Sequence, residues 1–541
     1  MKPLAAPLAA AAVAAALLLP LSPARADAPA TRPADAEKAE RKPEAKAGEP
    51  KQGESKPAEH KQSPGDKLSV TEGEVTIAGT AVKYRATAGT YQLKDDGGKP
   101  KADLYFTAYE RTPVAASLDD AAKRPVTFVF NGGPGAASVW LHIGTAGPKR
   151  VKLTPAGEAP PPPYRVVDNE FSWLDATDLV FIDPVGTGYS RAAPGEDPKQ
   201  FYGVDEDVRW VAEFIRLWTT RNQRWPSPKF LAGESYGTTR AAALSEHLLQ
   251  QQGIALNGVI LISTVLDFAT LRAGGGNELP YVVFLPTYTA TAHHHKRLPA
   301  DLQADLGKAL KEAQAFADDK YPALLAKGAS LTQAERDEAA KTIARLTGLP
   351  ADVVAQAKLR VDPDLFRKAL LKDQGVVVGR FDARLTGFDP DPLDRNPDHD
   401  PSFNQFFAAY AGAYNDYARR TLKYESDLSY DVLSGRVQPW NFGRAGNGYL
   451  NVSDNLARAM RLAPRTKLMV CAGVTDLATP YWAVQHTLRH MDLSPELRRN
   501  VTERFYAGGH MLYHEAEGLK QLKADIAAFV ADATKSAEPA K

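Results

Sequence analysis

A short apolar run, Lys229 to Ala232, leads into Gly233-Glu234-Ser235-Tyr236-Gly237, and a helix-like run, Thr238 to Gln250, leads out. Strand, tight turn and helix in so few residues leave the chain little freedom. The turn is sharp enough that side chains on the two outer glycines would collide with their surroundings. It also lifts the Ser235 hydroxyl clear of the sheet that the strand belongs to. A strand delivered this way needs neighbours, and the rest of the chain supplies them.

Val126–Phe130, Leu179–Ile182, Gly258–Ser263 and Lys467–Val470 are continuous apolar runs, the pattern of strands buried on both faces of a mainly parallel sheet. Helical stretches such as Val204–Thr219 lie between them, and alternating strands and helices imply an α/β fold. Ahead of these, Leu68 to Thr107 alternates apolar and polar residues with glycine-containing breaks, the signature of an antiparallel meander. From about 265 to 465 the strand pattern fades and helices follow one another, at Ala300–Asp318, Thr332–Thr347 and Asp364–Lys372. Thr332 and Glu335 have the spacing of a capping box. This stretch is expected to form a helical cap over the strand ends. The folded domain is expected to span 67–535.

The first 26 residues carry an early lysine, an Ala/Leu-rich core and Ala24-Arg25-Ala26. That is the layout of an export signal cleaved after Ala26, so a periplasmic or secreted protein is expected. Residues 27–66 are Lys, Glu, Ala and Pro with almost no large apolar side chain, and 536–541 are similar. Such segments cannot offset their ordering entropy, so a disordered linker and tail are expected. A formal net charge of +1 gives no general pull toward nucleic acid or an anionic membrane. No other run approaches the ~20 apolar residues of a membrane span. The single cysteine, Cys471, lies in an apolar strand-like run and excludes any internal disulfide.

A serine hydroxyl is a weak nucleophile at neutral pH and needs a base, which in turn needs an orienting acid. After this type of turn the acid precedes the histidine in the chain. Asp476 follows the strand-like Leu468–Cys471 directly, and His510 follows Gly508-Gly509. His514, His486 and His490 are the neighbouring alternatives. Asn131-Gly132-Gly133-Pro134-Gly135, after the run ending at Phe130, has glycines that allow backbone N–H groups to point into a cavity, although standing alone it reads as a plain Gly-Pro turn. Two further features are read as solvated loops: His293-His294-His295, which cannot all face one metal ion, and the aspartate-rich stretch Asp389–Asp400, which lacks the glycine and terminal glutamate of a calcium loop.

Four segments together resemble the serine carboxypeptidase family, peptidase family S10. They are Asn131-Gly132-Gly133-Pro134-Gly135, Asp183-Pro184-Val185-Gly186-Thr187-Gly188-Tyr189-Ser190, Gly233-Glu234-Ser235-Tyr236-Gly237 and Gly509-His510-Met511. The resemblance implies an α/β-hydrolase fold and an exported serine carboxypeptidase acting on peptides with a free C-terminus. It implies Ser235 as nucleophile, His510 as base and acid, and Asp476 as orienting acid. The backbone N–H groups of Gly133 and Tyr236 would form the oxyanion hole, and Asn131 and Glu234 would bind the substrate's terminal carboxylate. No cofactor or metal is implied. The chain departs from the family at Ala136, where a cysteine is frequent, at Val474 in the acid motif, and at Thr145, where a second glutamate commonly precedes the Gly-Pro. Loss of the paired glutamate leaves an esterase or acyltransferase as the alternative activity, and an inactive envelope-binding protein as the alternative outside catalysis.

Overall fold

A computed structural model describes residues 65–535 except 116, 275, 444, 446 and 447. The expected export signal, most of the linker and the tail lie outside the described residues. Asp66, expected as the linker's last residue, already belongs to the folded body: it is buried, and its carboxylate accepts the Gln92 N–H at 3.0 Å and pairs with Arg221 at 2.9 Å.

The core is one ten-stranded sheet. Its main strands are β1 (Lys67–Ile77), β2 (Thr80–Lys94), β3 (Pro100–Arg111), β4 (Val126–Phe130), β5 (Asp178–Ile182), β6 (Lys229–Ser235), β7 (Gly258–Thr264), β8 (Lys467–Gly473) and β9 (Val501–Tyr506). They lie in the order β1-β2-β3-β5-β4-β6-β7-β8-β9, with the short strand Arg191–Ala192 beside β3. The first three strands form the expected antiparallel meander, and β3 meets β5 antiparallel. Every pairing from β5 through β4, β6, β7 and β8 to β9 is parallel.

The continuous apolar strands divide by parity between two cores. Phe128, Val180, Leu231, Leu261 and Val470 face one side, and Val129, Phe181, Phe230, Ile260 and Cys471 the other. Strands buried on both faces need apolar residues at every position, which is why these runs do not alternate. Helices α1 (Val204–Arg221) and α2 (Tyr236–Gln252) cover the first face with Ile215, Trp218, Leu244 and Leu248.

Residues between β7 and β8 hold helices α3 (Leu279–His294), α4 (Leu306–Asp319), α5 (Gln333–Thr347) and α6 (Pro401–Arg420). The Thr332–Glu335 capping box is present at the start of α5. The helix expected at 300–318 is broken instead at Asp305, whose carboxylate accepts the Lys308 N–H at 3.1 Å and caps α4. The segment is more than a cover over the strand ends. Helix α6 presents Phe406, Ala409, Tyr410, Ala413, Tyr414 and Tyr417 at helical spacing to the second core of the sheet. The remaining described helices of note are α7 (Ser453–Leu462), α8 (Tyr481–His490) and α9 (Ala516–Ala533), the last of which covers the second face with Leu522, Ile526 and Phe529.

Two loop expectations need correction. His293 and His294 close the last turn of α3, and His295 is half-buried, its Nε2 paired with the Ala383 carbonyl at 2.7 Å. The helix extends that far because it is apolar on nearly every side. In the aspartate-rich stretch, Asp389 is buried on an ion pair with Lys368 at 2.7 Å rather than solvated. Among the described residues no cluster of acidic, histidine or cysteine side chains could hold a metal ion, and no helix is long and apolar enough to cross a membrane.

Candidate active site

Strand β6 ends at Ser235 and α2 begins at Tyr236. Ser235 carries that reversal in one residue, with φ 60° and ψ −130°, a strained conformation for a side chain other than glycine. A Cβ on Gly233 would lie 2.2 Å from the Gly237 carbonyl oxygen, so the turn closes only with glycine there. Tyr236 is the first residue of α2, and its N–H is one of the donors that a helix start leaves without an intrahelical partner.

The loop after β4 lies against that helix start. A Cβ on Gly132 would fall 2.3 Å from the Tyr236 nitrogen. Arg240, one turn into α2 and 1% exposed, fixes the approach: its Nη1 donates to the Asn131 carbonyl at 2.6 Å, and its Nε donates to Asp207 of α1 at 2.7 Å. Gly133 adopts a φ of 102°, a region glycine enters freely.

On the other side of Ser235, the loops after β8 and β9 bring Asp476 and His510 together. His510 Nδ1 lies 2.7 Å from Asp476 Oδ2, and both side chains are buried. Asp476 also accepts the backbone N–H groups of Ala478 at 2.7 Å and Thr479 at 3.0 Å, and the Thr479 hydroxyl at 2.6 Å. With an acceptor facing it, Nδ1 carries the proton and leaves Nε2 as the basic nitrogen. Burial pulls the imidazole pKa down, but Asp476, by charge and hydrogen bond, and then Glu234 more than offset it, so the net displacement is upward. The Ser263 hydroxyl on β7 holds the His510 carbonyl at 2.6 Å.

Glu234 sits beneath this group, 3% exposed. Asn131 Nδ2 donates to its Oε1 at 3.1 Å, and the Tyr513 hydroxyl donates to Oε2 at 2.7 Å. Burial drives its pKa up to about 7, against the opposing pull of His510 and of its two donors. Thr145 is fully buried, and among the described residues its Oγ1 has no hydrogen-bond partner. The second contact to the Glu234 carboxyl therefore comes from a phenol three residues after His510. His514 is half-buried and paired with Tyr410 at 3.0 Å, and desolvation pushes it down to about 3. His486 and His490 lie on α8.

Asn131, Gly133, Glu234, Ser235, Tyr236 and His510 line one cavity of about 510 Å³. Aromatic side chains at Trp140, Phe268 and Phe403 form much of its wall. Asp476 lies behind His510. Motif reasoning misses a loop from the stretch between β7 and β8. Its Arg380 carbonyl accepts the Leu477 N–H at 3.0 Å, and its Phe381 carbonyl accepts the His510 N–H at 2.6 Å. One loop thus braces both the acid and the histidine. Its only local signal is a Gly-Arg-Phe-Asp turn far from either.

The family model described as serine carboxypeptidase, peptidase S10, matches residues 80–520. Serine carboxypeptidase-like 34 of Arabidopsis thaliana is 29% identical over 202 residues, 36% of this chain and 37% of that protein. The pheromone-processing carboxypeptidase KEX1 of Cryptococcus gattii is 34% identical over 137 residues, 25% of this chain and 18% of that protein. The chain thus spans about a third or less of the length of these curated relatives. Among solved structures, Kex1(Δ)p, a prohormone-processing carboxypeptidase of Saccharomyces cerevisiae, aligns over 83% of this chain and 92% of its own, with a TM-score of 0.52 and 16% identity. At that identity the likeness establishes a shared α/β-hydrolase fold. By the extent of the family match, the chain belongs to the serine carboxypeptidase family, peptidase family S10.

Proposed function

We propose that this protein is an exported serine carboxypeptidase that releases C-terminal amino acids from peptides through an acyl-enzyme on Ser235. The observation that carries this reading is the meeting, in one cavity, of a strained serine at a strand–helix turn, a buried His–Asp pair and a carboxyl with a raised pKa.

Ser235 Oγ attacks the terminal peptide carbonyl as its proton passes to His510 Nε2. The oxyanion formed is met by the N–H groups of Gly133 and Tyr236, with the N-terminus of α2 behind the latter. His510 then gives the proton to the leaving amine as the C–N bond breaks. Water, deprotonated by the same nitrogen, cleaves the ester and restores Ser235. Asp476 holds the Nδ1–H tautomer and balances the imidazolium.

Asn131 and Glu234 bind the substrate's terminal carboxylate. Two carboxylates in contact repel, but a protonated Glu234 can donate to the incoming anion. Both of its oxygens already accept a donor, so the acid proton is free to face the cavity. This favours binding of the terminal carboxylate below pH about 7.

The test is mass spectrometry of a peptide mixture incubated with the protein and with Ser235→Ala. Stepwise loss of single C-terminal residues by the wild type alone is expected. Trimming by the variant would sink the reading. An enzyme that trims no peptide yet is labelled at Ser235 by a fluorophosphonate would point to the esterase or acyltransferase alternative, which the absence of a second carboxyl at Thr145 favours.

A further inference from the structure

Among the residues lining the catalytic cavity, Arg380 is the one arginine or lysine. Its backbone is fixed on both sides. The N–H donates to Asp400 Oδ1 at 3.0 Å and the carbonyl accepts the Leu477 N–H at 3.0 Å. The next residue, Phe381, binds the His510 N–H and sets its ring 5.0 Å from the imidazole. The guanidinium is treated differently. Among the described residues it makes no ion pair and no side-chain hydrogen bond, and it lies over the Phe381 ring, 5.3 Å from its centre. Arg384, four residues on, pairs with both Asp382 at 2.6 Å and Glu515 at 2.5 Å. One arginine of this loop is committed to holding the fold together, and the other, exposed to solvent, lines the cavity without such a commitment. Its charge is felt there, since it opposes the upward displacement of His510.

A guanidinium fork over an aromatic face matches a carboxylate in geometry, and its attraction grows when a bound ligand excludes water. On the proposed function, Asn131 and Glu234, which line the same cavity, take the terminal carboxylate. We propose that Arg380 is a specificity residue that receives a second substrate carboxylate, the acidic side chain of the terminal or penultimate residue. This rests on the peptidase reading of the cavity and adds a preference for acidic peptides to it.

The probes are N-benzoyl dipeptides in which Glu is exchanged for its neutral isostere Gln, at the terminal position (Ala-Glu against Ala-Gln) and at the penultimate one (Glu-Ala against Gln-Ala). They are compared at about pH 6, where the Glu side chain is ionised. Two readouts are taken: kcat/KM with the wild type, and calorimetric binding to Ser235→Ala, which needs no turnover. The Glu peptide is expected to exceed its Gln partner about ten- to a hundredfold at one of the two positions, and that position identifies which side chain Arg380 meets. Arg380→Gln should bring the ratio to within about twofold of unity, and Arg380→Lys should retain part of it. Ratios near unity at both positions, or a ratio that survives Arg380→Gln, would overturn the proposal. An equal loss for Glu and Gln peptides in Arg380→Gln would also overturn it, by assigning the arginine to the terminal carboxylate. Failure of the peptidase reading looks different: binding ratios that depend on Arg380 with no cleavage by the wild type.

Discussion

The cavity is flanked by two buried carboxyl groups with opposite surroundings. Asp476 is completely buried and accepts four hydrogen bonds, from two backbone N–H groups, the Thr479 hydroxyl and His510. Glu234 is nearly as buried and accepts two, from Asn131 and Tyr513. Burial penalises a charge unless donors replace the lost water. The Asp476 loop supplies a full set of donors and holds a carboxyl oxygen against His510 Nδ1. The Glu234 niche supplies half a set, and burial wins, so its pKa rises to about 7. Similar burial goes with a fully hydrogen-bonded partner for the histidine in one place and a proton-holding group in the other. The number of donors makes the difference.

The largest effect that bears on this contrast is expected from Asp476→Asn. The amide presents an N–H₂ or a weaker acceptor to His510 Nδ1 and no longer fixes its tautomer. We expect kcat to fall about 10³- to 10⁴-fold on peptides and neutral esters alike, with KM little changed. Initial rates on both substrate types check this. A loss confined to peptides would mean that Asp476 serves binding and not the base.

Glu234→Gln should act on the other axis. Its peptide kcat/KM is expected to fall roughly ten- to a hundredfold, mainly through KM, with a neutral ester affected only a few-fold. The pH profile gives a sharper reading. In the wild type the alkaline limb follows loss of the Glu234 proton near pH 7, and the acid limb follows protonation of His510, above the usual imidazole value. Glu234 is among the groups that raise the histidine, so Gln should remove the alkaline limb and move the acid limb to lower pH. Stability should respond with a defined sign. A carboxyl raised from 4.5 to about 7 in the fold costs nothing below pH 4.5, and stability is lost progressively as pH rises to 7. Glu234→Gln should therefore gain on the wild type by on the order of 2–3 kcal/mol more at pH 8 than at pH 4, measured by denaturant unfolding. An equal difference at both pH values would mean that folding does not raise the Glu234 pKa.

Legibility in the sequence follows from how local each device is. Ser235, Asn131, Gly133, Asp476 and His510 all stand within a few residues of a strand end, where backbone turns leave glycine and polar signatures. The two cores follow from strand parity. Tyr513 lies close to a motif, but nothing local says that its hydroxyl turns back to Glu234. Arg380 and Phe381 reach the site only because the long stretch between β7 and β8 folds back on the loops that carry Asp476 and His510. Helix α3 hides for a different reason: with apolar residues almost all round, it has no polar face to reveal its period. Helix α6 carries a visible stripe, yet which face of the sheet that stripe covers is fixed by tertiary contacts alone.

Tyr513→Phe tests the donor-count argument with the least disturbance. The ring stays and one hydroxyl goes, so the Glu234 carboxyl falls from two donors to one. Its Tyr513 hydrogen bond currently lowers the Glu234 pKa, and removing it should raise that pKa further above about 7. The alkaline limb of peptide hydrolysis should then move to higher pH, in contrast to its disappearance in Glu234→Gln. Rates on peptides at pH 8 should rise about two- to fivefold relative to those at pH 6, while ester rates keep the wild-type profile. The fold should lose about 1 kcal/mol for one buried hydrogen bond. A limb that moves to lower pH would show that Tyr513 does not stabilise the ionised form of Glu234. An unmoved limb, with the stability loss present, would assign the hydroxyl to packing alone and leave desolvation as the sole difference between the two carboxyl groups.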